Sequence, residues 1–182
     1  GPRLVGTPQM KIAHDWAVNK FKAWGVSASN QPYGEWRGWE RGVTHIDMVS
    51  PRLKTLEGMQ LAWSPGTKKN ILAETIILPK LADSNAFKAW LPNVKGKLVL
   101  ISVNQVTGRP DYNWEEFGTP ESIKKMKDDR AAATADWAER MRNTGLNAKN
   151  LALALEKAGA AGLLASNWSS GFGVNKIFGA NT

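Results

Sequence analysis

The sequence predicts an α+β fold, a sheet with flanking helices preceded by an N-terminal helix. Three observations carry that prediction. A proline-capped helical segment opens the chain, and short β-branched and aromatic runs cut by glycine and proline follow it. Further on, one apolar run is separated from a second by two more helical stretches.

Thr7-Pro8 sets a hydroxyl N-cap before a proline at the first helical position, and Gly25 closes the helix after Trp24. Ala13, Trp16, Ala17, Phe21 and Trp24 recur at three- and four-residue steps, with Lys11, Lys20 and Lys22 mostly to the sides, so one face calls for a partner. Residues 26–80 predict short antiparallel strands at 43–49, 59–63 and 71–78, with Ser64-Pro65-Gly66-Thr67 as the tight connection between the last two. A short helix is expected over 84–90, before Pro92. Lys95-Gly96-Lys97 then leads into 98–103, which reads as a strand buried on both faces at the centre of a sheet. Residues 104–118 read as a polar, aromatic loop. Thr119-Pro120-Glu121 caps a second helix, whose Ile123, Met126, Ala133, Trp137 and Met141 keep helical spacing. Asn147 starts another helix, which ends at Gly159 and passes directly into a strand over 160–167. Strand, helix, strand is the pattern of a parallel crossover.

With 182 residues, the chain has room for one domain, or one and part of a second. Its 42% hydrophobic content is that of a globular protein and excludes disorder over the whole length. No apolar run approaches the ~20 residues of a membrane-spanning helix, so no membrane span is expected. The absence of cysteine removes disulfide scaffolds, thiolate zinc sites, iron–sulfur clusters and thiol nucleophiles together. Gly1-Pro2-Arg3-Leu4 has no apolar signal core, and any targeting peptide is expected to lie outside this sequence. The net charge of +8 is spread rather than striped: eight basic and four acidic residues over 1–54, six and three over 55–104, ten and nine over 105–182. Lys124-Lys125-Met126-Lys127 is followed at once by Asp128-Asp129, so the one lysine cluster is neutralised locally and no nucleic-acid partner is expected.

Candidate chemistry is sparse. His14 and His45 are the only imidazoles, and His14 reads as a helix-surface residue. Alternation along a strand puts His45 and Asp47 on one face, where a metal ion would bridge them, and Glu115-Glu116 supplies further oxygen ligands. Nothing at motif spacing closes a coordination sphere, so no metal ligands and no catalytic residues are assigned in this chain. Ser169-Ser170-Gly171-Phe172-Gly173 lacks the glycine of a nucleophile elbow and opens no phosphate-cradling helix. Nine tryptophans stand out against five phenylalanines. Trp16, Trp24 and Trp137 fall on apolar helix faces and read as packing residues. Trp36, Arg37 and Trp39 lie in Tyr33-Gly34-Glu35-Trp36-Arg37-Gly38-Trp39-Glu40-Arg41, where aromatics and arginine alternate with glycine. That composition suits a docking surface, though a twisted strand burying its aromatics accounts for it somewhat better. Trp114 joins Trp36, Arg37 and Trp39 as a candidate partner- or substrate-facing residue.

Arg3-Leu4-Val5-Gly6-Thr7-Pro8 and the helix to Trp24-Gly25 resemble the start of zinc-dependent exopeptidases of the co-catalytic zinc family, the aminopeptidase and glutamate carboxypeptidase relatives. Val94-Lys95-Gly96-Lys97-Leu98-Val99-Leu100 and Leu155-Glu156-Lys157-Ala158-Gly159-Ala160-Ala161-Gly162-Leu163-Leu164 resemble the two halves of the protease-associated domain often inserted in those enzymes. The resemblance implies a protease-associated-domain-like β-sandwich or open barrel with flanking helices. It would occupy 51–182, with a largely helical insertion at about 105–146, while 1–50 would belong with a peptidase domain absent from this sequence. It also implies a secreted or periplasmic parent that holds zinc through ligands downstream of the inserted domain. His45-Ile46-Asp47 and Glu115-Glu116 mimic two of those ligand motifs but precede or interrupt the domain, and are read as coincidences. This chain would then hold no cofactor itself. Its expected partners are the peptidase domain, the parent's peptide substrate, and a second copy through the exposed N-terminal helix. The competing expectations are a free-standing tryptophan-rich module that binds carbohydrate or peptide, and a self-sufficient metallohydrolase built on His45, Asp47, Glu115 and Glu116.

Overall fold

The structure is a computed structural model that describes residues 3, 5–35 and 38–166. The chain divides into two units, the first reaching Gly66 and the second beginning at Thr67. In the first unit, the Thr7 side chain accepts a hydrogen bond from the Met10 amide and Pro8 begins helix α1, Pro8–Ala23. None of its residues is buried, and Ile12, Trp16 and Trp24 are all more than 60% exposed. The expected strand at 43–49 shortens to β1, Ile46–Met48, which pairs antiparallel with β2, Lys54–Leu56, in the register Ile46 with Leu56.

The strand expected over 59–63, and its tight turn to a partner at 71–78, do not form. Ala62 is buried, Trp63 adopts a left-handed φ of 70°, and side chains rather than a ladder occupy the Ser64 carbonyl. A residue other than glycine at such φ interrupts the extended conformation that strand pairing requires.

The second unit carries β3, Thr75–Ile77, then α2, Ser84–Trp90, and a 3-10 turn, Leu91–Val94. It continues with β4, Leu98–Leu100, α3, Asp111–Phe117, α4, Pro120–Thr144, α5, Ala148–Lys157, and β5, Gly162–Leu164. The strands form one sheet in the order β3-β4-β5, all parallel. The segment expected as an antiparallel strand at 71–78 is thus a parallel edge strand, and its partner is the central apolar run. That run is shorter than 98–103, and only Val99 within it is buried. The loop read over 104–118 contains α3, whose first turn carries Asp111 after Pro110; seven residues without an apolar period gave no helical signal.

The long helix starts and stops on its caps. Thr119 accepts from the Ser122 amide, and Gly145 ends the helix at φ 72°, a left-handed position that glycine adopts without steric cost. Asn147 caps α5 by accepting from the Asn150 amide, and Gly159, at φ 87°, turns the chain out of that helix toward β5. The core lies between the sheet and the helices: Leu78, Phe87, Val94, Val99, Leu151 and Leu155 are buried together, with Trp137 and Met141 of α4 packed against them. Gly162 lies so close to Leu98 that a Cβ there would sit 3.1 Å from Leu98 Cδ2, so the β4–β5 approach depends on a small residue. Helices and two small sheets make a mixed α and β protein, with no closed barrel among the described residues.

Candidate functional site

Trp36 and Arg37 lie outside the described residues, as does the Ser169–Gly173 stretch. Trp39 and Trp114 fall in different units. Trp39 is half-buried and donates its indole N–H to the Ser64 carbonyl at 2.9 Å, while the Arg41 guanidinium stacks 5.1 Å from its ring centroid. Arg41 donates in turn to the Gln60 carbonyl. Gln60 gathers the surrounding chain, since its amide N–H donates to Thr44 Oγ1 and its side-chain nitrogen to the carbonyls of Ser64 and Pro65. Two donors therefore converge on one carbonyl beside the left-handed Trp63, whose ring is 42% exposed. Holding a tryptophan in that region costs of order 1–3 kcal/mol, and such strain collects at functional positions. The glycine and arginine alternation pointed to this region, but Gln60 and Trp63 carried no periodic signal and were missed.

Trp114, on α3, is half-buried beneath Arg109, whose guanidinium lies 5.6 Å from the ring centroid. Its indole nitrogen is buried and meets no protein acceptor. Arg130, from α4, reaches Asp111 and the Arg109 carbonyl, tying α3 to the long helix.

His45 and Asp47 do share one face, as alternation required, with His45 Nε2 2.9 Å from Asp47 Oδ2. Thr55, across the β1–β2 pair, donates to Asp47 Oδ1 at 2.8 Å. This hydrogen bond, with the smaller contribution of His45, holds the Asp47 carboxyl below the usual carboxylate range. Both carboxylate oxygens are therefore engaged, and Glu115 and Glu116 are exposed on α3 in the other unit. Among the described residues no three His, Cys, Asp or Glu side chains are grouped to hold a metal. A zinc ion needs three or four ligands. These residues do not fit one.

A third arrangement lies at the carboxyl end of the parallel strands. Ala133, Asp136, Trp137 and Arg140 of α4, spaced i, i+3, i+4 and i+7, line a cavity of about 170 Å³ with Ile77, the last residue of β3, and Ser102, just beyond β4. Arg140 donates from Nε to Asp136 Oδ2 at 2.7 Å and from Nη1 to the Leu78 carbonyl at 2.8 Å. Lys80 stands 2.6 Å from Glu139 and 3.7 Å from Asp136, and the Glu139 contact is the main cause that raises the Lys80 pKa. In the sequence Ala133 and Trp137 keep helical spacing and Trp137 reads as a packing residue, which gives no sign of the cavity. The signal was the Asp136 and Arg140 pair set into that apolar stripe.

No protein-family model, curated protein or solved structure matches the chain. Its function is read from its own residues. Unit 1 offers a braced aromatic and arginine surface, and unit 2 a small cavity with a fixed ion pair.

Proposed function

We propose that this chain is the non-catalytic, protease-associated portion of a zinc-dependent exopeptidase, bordering the active site of a longer protein and governing substrate access or protein association. One observation carries the reading. The two segments that resemble the halves of a protease-associated domain are neighbours in one sheet, Leu98–Leu100 parallel to Gly162–Leu164, with α5 leading directly into the second strand. Gly96 donates to the Gly159 carbonyl and Ala161 to the Lys97 carbonyl, each at 2.8 Å, so the glycine-containing turns of both segments meet as well. In this reading Trp36, Arg37, Trp39 and Trp114 are the substrate- or partner-facing residues, Trp114 from the helical insertion. The parent is a secreted or periplasmic protein.

The test compares this chain with the product of its full reading frame for bound zinc and for hydrolysis of aminoacyl p-nitroanilides. Zinc and activity are expected in the longer product alone. Stoichiometric zinc on this chain, lost with His45→Ala, would replace the reading with a self-sufficient metallohydrolase. A longer product with neither zinc nor activity, together with glycan- or peptide-array binding lost on Trp39→Ala, would replace it with a free-standing binding module.

A further inference from the structure

The cavity beside α4 lies where open parallel sheets receive ligands, outside the carboxyl ends of their strands. Its lining, which also includes Asn104, has four chemistries in fixed places. Ile77, Ala133 and Trp137 are apolar. Arg140 presents a cation with a side chain only 22% exposed; an arginine has five N–H donors, and the bonds from Nε and Nη1 leave its Nη2 hydrogens uncommitted among the described residues. Asp136 presents an anion one helical turn away, held by that same Arg140 on one oxygen and 3.7 Å from Lys80 on the other. Ser102 adds a hydroxyl whose oxygen already accepts from the Ser166 amide, which leaves its proton free to donate.

A cation and an anion side by side over an apolar wall suit a ligand that carries both charges on two groups of the same carbon. The volume of about 170 Å³ lies below the ~300 Å³ at which drug-sized pockets begin, and admits one residue rather than a peptide. We infer that this cavity binds a free α-amino acid with an apolar side chain. Its carboxylate would accept from Arg140 Nη2 and Ser102 Oγ, its ammonium would donate to Asp136, and its side chain would lie against Ile77 and Trp137. Arg140 is pre-set for the task, because its bond to the Leu78 carbonyl anchors it to the edge strand and lowers the ordering cost of binding. The inference stands on the second unit alone and does not need the exopeptidase reading, although a free amino acid is what such an enzyme releases.

The test is a titration of the ¹⁵N-labelled chain with L-leucine, following the Trp137 indole and the Ser102 amide. Saturable shifts at both are expected, with a Kd of about 1 mM or tighter. N-acetyl-L-leucine, which lacks the ammonium, and L-leucinamide, which lacks the carboxylate, should each bind about tenfold more weakly or worse. Ala133→Phe fills the space and should abolish the shifts. Ser102→Ala, which leaves the helix ion pair intact, should weaken them about threefold or more. Shifts absent up to about 20 mM L-leucine would overturn the inference. So would equal binding of either half-charged analogue, or undiminished binding by a folded Ala133→Phe variant. None of these results alters the zinc and hydrolysis comparison, so the two readings fail separately.

Discussion

The Asp47 carboxylate accepts from Thr55 on one oxygen and meets His45 on the other, so it responds to acid. Its pKa is depressed in the folded state, so the folded chain favours the ionised form. The resulting stabilisation is present above the ordinary aspartate range, where the unfolded chain titrates. It is lost as pH falls through the lower folded value. The largest cause is the Thr55 hydroxyl, so Thr55→Val should raise the Asp47 pKa toward the ordinary range, read by NMR titration of the carboxyl carbon. A pKa unmoved by that substitution would show that the hydroxyl is not the cause. The pairing of His45 with Asp47 was legible because a strand repeats every two residues. Thr55 was not, because it comes from a second strand whose three residues are all exposed and carry no alternation.

Helices were the readable elements, and the reason lies at their ends. Thr7-Pro8, Thr119-Pro120 and Asn147 each accept from an amide three residues on, so local chemistry fixed these starts without help from the rest of the fold. Strands of three residues have no comparable signature, and the parallel pairing of β3 depends on β4, more than twenty residues away. The cavity was hidden for a related reason: its residues join one face of α4 to the ends of two strands, and no window along the chain spans them. Burial separates the helices energetically. Leu155 on α5 is fully buried, so Leu155→Ala should cost about 2–5 kcal/mol of stability in urea unfolding. Trp16 on α1 is 62% exposed, so Trp16→Ser should change stability by no more than about 0.5 kcal/mol. A loss at Trp16 as large as that at Leu155 would mean that a partner covers α1 in solution.

Across the whole molecule, stability is unevenly placed. Among the described residues, the buried hydrophobic side chains apart from Ala62 belong to the second unit. Amide hydrogen exchange should therefore be slowest in peptides covering β4 and α5 and fastest in those from 25–45, where the described backbone is mostly irregular. Peptides from 25–45 protected as strongly as β4 would contradict this distribution. The parallel pairing of β4 with β5 also has a consequence during synthesis. Leu100 and Leu164 are partners in the sheet but 64 residues apart in sequence. At ribosomal rates of about 5–20 residues per second, β4 waits roughly 3–13 s for its neighbour to be translated. Through that interval the nascent chain displays an unpaired apolar edge, which makes this stretch of elongation the moment at which a chaperone would have most to shield.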